Sequence, residues 1–146
     1  GLGLGDVYKR QAVRRWSASG FAAVADRLAQ AGLEVVLTGS EDERALVASV
    51  AAQMRHPALD LSGRTDIWML GAALASASVA VCNNTTVSMM AAALGTRSVV
   101  ASQAGEVDRG PPLDPQRHRV FTPGNDAHAA ELLAQAALAL ADEELA

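Results

Sequence analysis

Apolar positions recur along this chain in two alternating rhythms. From Ser17 onward, Phe21, Val24, Ala25 and Leu28 fall three or four residues apart, on one face of a helix, and Gly32 stands just past its end as a C-terminal cap. The β-branched run LEVVLT (33–38) then predicts a strand. GSEDE (39–43) turns the chain into a second helix and sets acids in its first turn, where the helix dipole favours them. That helix reaches about Arg55 and stops before Pro57.

The alternation then repeats. ALDLS (58–62) predicts a second strand, and Thr65 or Asp66 serves as N-cap of a helix over 67–77. SVAVC (78–82) predicts a third strand, residues 85–94 a helix ended by Gly95, and RSVVAS (97–102) a fourth strand. A Pro/Gly-rich loop runs from Gln103 to about Arg117. HRVF (118–121) is a short fifth strand, and TPGND leads into a last helix over about 126–144.

Strand–helix alternation of this kind builds a parallel sheet with helices on both faces, an α/β Rossmann-like fold. Ligands of such sheets bind at the C-terminal ends of the strands. The pattern therefore selects four loops: 38–43, 62–66, 82–88 and 102–112. The first eleven residues, GLGLGDVYKRQ, suit neither a strand nor a loop of such a domain and read as a non-native or disordered leader. Residues 12–146 then form a single Rossmann-like domain.

Composition narrows the class. Half of the 146 residues are apolar but only 3% are aromatic, which favours tight helix–sheet packing over an all-β sandwich. Twelve Lys and Arg against 16 Asp and Glu give a net charge of −4, and no long basic run suggests nucleic-acid binding. The single Cys82 cannot form an internal disulfide, which suits a reducing compartment. No uninterrupted apolar run reaches the roughly 18 residues of a membrane span. The stretch from Ile67 to Cys82 comes closest, and Gly71, Ser76 and Ser78 interrupt it. The apolar part of the leader is too short for a signal peptide.

Three of the selected loops carry candidate chemistry. Asn83, Asn84, Thr85, Thr86, Val87 and Ser88 gather amides and hydroxyls at a helix N-terminus, where unpaired N–H groups attract anions. A phosphate or diphosphate suits such a pocket, and the same residues also make an ordinary polar cap. Thr38 and Gly39 end a strand where a ligand can approach the backbone. Glu43 is either an acceptor for ribose hydroxyls or an acid in a first helical turn. In the loop 102–112, Asp108 and Arg109 either touch a ligand or sit in solvent. Outside the loops, RRW (14–16) presents a cation to phosphate or a solvated pair.

Other chemistries find little support. His56, His118 and His128 have no metal-ligand spacing, and Cys82 has no partner His at a motif spacing. Met54, Met69, Met89 and Met90 read as core filling. There is no Walker A sequence and no G-x-G-x-x-G after a strand, which weighs against a Rossmann oxidoreductase.

The ordered pieces resemble the C-terminal half of glycosyltransferase family 9, the ADP-heptose:lipopolysaccharide heptosyltransferases, over roughly residues 13–140. RRWSASGFAAVADRLAQAG is similar to that family's K-R-W-P-x-x-x-F-A-x-L-A-x-x-L segment. LEVVLTGSEDERAL is similar to its strand, Thr-Gly turn and Glu. LDLSGRTDIWMLGAALASASVAVCNNTT is similar to its L-x-G-x-T-S-L-x-E-L-A-x-L-L-x-x-A-x-x-x-V-x-N-D/N-T run. AAALGTRSVVA resembles the segment that follows.

The resemblance implies a GT-B fold, two Rossmann-like domains facing a cleft, with the sugar nucleotide held by the C-terminal one. It places Arg14 at a phosphate-binding Lys, Glu43 at the ribose-binding Glu and Thr65 beside the adenine. Asn84, Thr85 and Thr86, followed by Val87 and Ser88, stand at the diphosphate loop, with Thr38 and Gly39 close by. Ser17 replaces the usual Pro, Thr86 a frequent Gly, and Met89 the usual His. The implied reaction is inverting transfer from a nucleotide-sugar such as ADP-heptose to a glycolipid acceptor, without metal or cofactor. The general base belongs to an N-terminal acceptor-binding domain outside this chain, so the chain alone is expected not to catalyse transfer. The implied location is cytoplasmic, peripheral at the inner face of the inner membrane. The alternative is a degenerate, non-catalytic Rossmann-like binding or interaction module.

Overall fold

The computed structural model describes residues 15–103 and 114–145, so the leader, Arg14, Asp108 and Arg109 lie outside the described residues. Helix α1 (Ala18–Gln30) is capped by the Ser17 hydroxyl, which accepts from the Gly20 N–H at 3.1 Å. It ends with Gly32 at φ +94°, and the N–H of Leu33 closes the motif on the Leu28 carbonyl. β1 (Val36–Leu37) leads through a 3₁₀ turn (Glu41–Glu43) into α2 (Arg44–Gln53). Then follow β2 (Leu59–Asp60), α3 (Ile67–Ser76), β3 (Ala80–Asn83) and α4 (Thr86–Leu94). The described elements close with β4 (Ser98–Ala101), β5 (His118–Phe121) and α5 (Ala129–Leu145).

All pairing among the described strands is parallel, in two ladders. β1 pairs with β2 through Val36↔Leu59 and Leu37↔Asp60. β4 lies between β3 and β5, with Cys82↔Val100 and Ser98↔His118 among the registered pairs. The pattern along the chain predicts one continuous sheet and longer first strands. LEVVLT is shortened to Val36–Leu37, and its first residue, Leu33, instead closes α1. Even so, the hydrogen bonds of the first ladder outrun the strands: Leu59, Leu61 and Gly63 N–H groups donate to the carbonyls of Val35, Leu37 and Gly39 at 3.0, 2.9 and 2.8 Å.

The core lies where α1 and α5 pack on the three-stranded ladder. Every residue of β4 is buried, so both of its faces are covered. Val99 and Ala101 join Trp16, Val24, Leu133, Ala137 and Leu140 in one cluster, and the alternate positions Ser98 and Val100 face the side where α4 packs. Buried positions on α5 recur at 129, 133, 134, 137, 140 and 141, a single helical face. Leu133 and Leu140 are each 1% exposed, and burying a leucine side chain contributes about 1.5–3 kcal/mol. α1 also packs against α2, and Asp26 fixes the chain beyond α2 by accepting from the Arg55 and His56 N–H groups at 3.0 and 3.1 Å.

Candidate functional site

Three of the four selected loops converge because two adjacent residues reach in different directions. The Trp16 N–H donates to Asn83 Oδ1, at the end of β3, at 3.1 Å. Arg15, its side chain only 8% exposed, pairs with Glu43 Oε2 at 3.0 Å, in the turn after β1. The Gly63 N–H donates to the Gly39 carbonyl, which ties the loop after β2 to the loop after β1. Of the residues 102–112 selected after β4, only Ser102 and Gln103 belong to the described residues.

The turn after β1 is held by Glu43. Its Oε1 accepts from the Ser40 N–H at 2.9 Å and the Ser40 hydroxyl at 3.1 Å, and its Oε2 takes Arg15. This is a half-buried, oriented carboxylate rather than a loose first-turn acid. Gly39 is required by packing: a Cβ there would lie 2.8 Å from Val47 Cγ2. Gly63, at φ +69°, would place a Cβ against Glu41 and Arg44, so the loop after β2 also depends on a missing side chain. In that loop the cap of α3 is Asp66, which accepts from the Met69 N–H at 2.8 Å, and Thr65 is left half-buried beside it. Just before it, Asp60 accepts from the Ser62 hydroxyl at 2.6 Å and N–H at 2.8 Å, which hold its carboxyl below the usual range.

The turn after β3 divides into a cap and a remainder. Thr85 Oγ1 accepts from the Val87 N–H at 3.3 Å, and the Thr85 N–H donates to Ser88 Oγ at 3.1 Å. The Ser88 hydroxyl, 4% exposed overall, donates to the Thr85 carbonyl at 2.7 Å. Thr85 and Ser88 therefore serve the helix itself. Thr86, first in the helix and exposed, keeps its N–H outside these bonds. Among the described residues, the side chains of Thr38, Thr65, Asn84 and Thr86 have no hydrogen-bond partner, although the first three are half-buried. Four polar side chains without a protein partner, at converging strand ends, are open to a polar ligand.

Other expected features take structural roles. Trp16 is 6% exposed, packs edge-on against Phe21 with ring centroids 5.0 Å apart, and belongs to the core. Arg15, which the sequence leaves as one of a pair of solvated or phosphate-facing cations, is the link that holds Glu43. Its only signal in the sequence is its place beside a tryptophan that anchors the core. Met89 is half exposed on the second turn of α4, so it does not fill the core. Cys82 is buried, and burial pushes its thiol up to about 12, which leaves it protonated and inert. The Ser98 hydroxyl and His118 Nδ1 lie 2.7 Å apart at the opposite, N-terminal end of the strands. A groove of about 420 Å³ lined by Leu33, Val36, His56 and Leu59 also lies at that far end. Among the described residues no cluster of three His, Cys, Asp or Glu could hold a metal ion, and no helix is long and apolar enough to cross a membrane.

Solved structures share this architecture. The glycosyl transferase family 9 protein from Veillonella parvula DSM 2008 superposes with a TM-score of 0.75 over 98% of this chain, at 19% identity. E. coli ADP-heptose lps heptosyltransferase II superposes with a TM-score of 0.80 over 91% of it, at 23% identity. The chain spans 44% of the length of each. No curated protein sequence matches it. The sequence profile described as Glycosyltransferase family 9 (heptosyltransferase) matches residues 9–137, a span that includes all three converging turns. On that match, with the fold in agreement, the chain belongs to glycosyltransferase family 9.

Proposed function

We propose that this chain is the donor-binding domain of an inverting glycosyltransferase, holding a nucleotide-sugar such as ADP-heptose at the ends of β1, β2 and β3. The observation that carries the reading is the set of four partnerless side chains, Thr38, Thr65, Asn84 and Thr86, on turns that Arg15 and Trp16 draw together. Glu43 supplies an oriented acceptor for ribose hydroxyls. Thr86 and Asn84 supply donors for the diphosphate, and Thr65 sits where the resemblance puts the base. The diphosphate is favoured at the start of α4 by unpaired N–H groups and the helix dipole.

In the proposed reaction an acceptor hydroxyl attacks the anomeric carbon, its bond to the diphosphate oxygen breaks, and the configuration inverts. The negative charge on the departing nucleoside diphosphate is offset by the donors of the α4 turn and by a cation that the resemblance assigns to Arg14. The acceptor is a glycolipid, reached from the cytoplasmic face of the inner membrane. The base and the acceptor site belong to an N-terminal domain, so the 146-residue chain binds donor without transferring sugar.

Titration with ADP followed by amide NMR tests this reading. Shifts are expected at Thr38, Thr65, Asn84 and Thr86. Silence at millimolar ADP, and with the other nucleoside diphosphates, would exclude a donor site. Met89 favours a second reading, because the resemblance puts a phosphate-contacting His at this half-exposed position and Met cannot donate to phosphate. If the site has decayed, wild-type protein is silent and Met89→His binds ADP.

A further inference from the structure

Arg15, Trp16 and Ser17 are consecutive residues, each fixed in a different way. The Ser17 hydroxyl caps α1, Trp16 lies in the core with its N–H on Asn83, and the Arg15 side chain, 8% exposed, reaches Glu43 Oε2 at 3.0 Å. The guanidinium is therefore set by a backbone anchored on both the core and the end of β3. The carboxylate it meets is used unevenly. An ionised carboxylate has about four lone-pair positions, about two on each oxygen. On Glu43, Oε1 takes two donors, the Ser40 N–H at 2.9 Å and the Ser40 hydroxyl at 3.1 Å, whereas Oε2 takes Arg15. Among the described residues, Oε2 thus keeps one position open, on a side chain that is 25% exposed. A buried ion pair gains little stability over apolar residues of the same volume, so stability alone does not account for it.

We propose that Arg15 is a positioning residue for the donor ribose: it fixes Glu43 so that Oε2 accepts one ribose hydroxyl. This rests on the donor-site reading above and adds the residue that orders its ribose subsite. At 8% exposure the Arg15 side chain offers little surface to a ligand, so it acts through Glu43. Its first effect is geometric. The guanidinium occupies one lone pair of Oε2 and holds the carboxylate, which gives the remaining lone pair a fixed direction. Its second effect is electrostatic. A carboxylate in the same site as a diphosphate repels it, and a cation paired with that carboxylate offsets the repulsion. The neighbouring residue completes the arrangement. Because the Trp16 N–H bonds Asn83 at the end of β3, the ribose acceptor is kept in register with the turn that offers donors to the diphosphate.

Titration calorimetry of the 146-residue chain with ADP and its 2′-deoxy and 3′-deoxy analogues tests the proposal. In the wild type, at least one deoxy analogue should bind roughly tenfold more weakly than ADP, the loss of a hydrogen bond to a charged group. Arg15→Gln should weaken ADP by roughly tenfold as well, but change that deoxy analogue by no more than about twofold, because both changes remove one interaction. A merely structural tie would weaken the two ligands alike. Arg15→Lys, which keeps a cation for Glu43, should show the same pattern at smaller size, and it replaces Arg15→Gln if circular dichroism shows the latter unfolded. Equal wild-type binding of all three nucleotides overturns the role of Arg15, as does a variant loss that carries over in full to the deoxy analogue, and both results leave the donor site standing. No binding of ADP or of any other nucleoside diphosphate overturns the donor-site reading itself, and this inference with it.

Discussion

His118 stands at the start of β5 with Ser98 as its registered neighbour, their side chains 2.7 Å apart and both residues buried. Burial penalises the imidazolium and Arg117 repels it, so the ring is held below its ordinary value, while Asp114 opposes the shift. The sign of the pH dependence follows. Above the ordinary value of 6.5 both folded and unfolded chains keep the ring neutral. Below it the unfolded chain takes up a proton that the folded chain resists, and stability falls until the folded value is reached. At Asp26, burial raises the carboxyl, but the N–H groups of Arg55 and His56 and the His56 ring together hold it low. Its contribution, like that of Asp60, is lost only as the pH falls through 3.8 and below. Melting temperatures should therefore decline as the pH falls below the ordinary imidazole value of 6.5. His118→Gln, which keeps a neutral partner for Ser98, should flatten that decline while lowering stability at neutral pH. A decline of the same slope in the variant would assign it to other groups.

At the scale of the element, the turn after β3 separates residues that serve the helix from residues without a partner, although they look alike in sequence. Four small polar residues, Asn84, Thr85, Thr86 and Ser88, all suit a helix N-terminus. Thr85 and Ser88 bond to one another and to the turn, whereas Asn84 and Thr86 do not. Thr85→Ala should cost about 1 kcal/mol in urea melts, the usual loss of a Thr cap. Thr86→Ala should leave the melt within about 0.5 kcal/mol, as an exposed substitution does, and should weaken ADP. An unchanged melt for Thr85→Ala would show that the cap contributes nothing. The helices themselves were legible, because their signals are local: an apolar period, a cap, a terminal glycine. Even here Asp66 rather than Thr65 caps α3, a choice between neighbours that only geometry makes. Which polar residues would be left over was not legible, since that depends on the partners other elements bring.

At the scale of the molecule, strand pairing was the part least available from the sequence. Each β run announces itself through its own residues, but its neighbour lies a helix or a long loop away, and nothing local distinguishes one sheet from two ladders. Glu43 illustrates the same limit at the site: its acidic turn was visible, and its tie to Arg15 was not. The division into ladders also predicts how the fold opens. The main buried cluster draws on α1, β4 and α5, while β1 and β2 pair over two residues each and leave Val36 46% and Leu59 58% exposed. Regions with little buried apolar contact open at lower free energy than the core. In native-state hydrogen exchange, the amides of Val99, Val100, Leu133 and Leu140 should exchange last, at the global unfolding free energy. Those of Leu59 and Leu61, although bonded to Val35 and Leu37, should exchange earlier, through an opening that leaves the three-stranded ladder intact. Equal protection for Leu61 and Val100 would mean that the two ladders open as one cooperative unit. In that case the turns after β1 and β3 could not reorganise independently of one another.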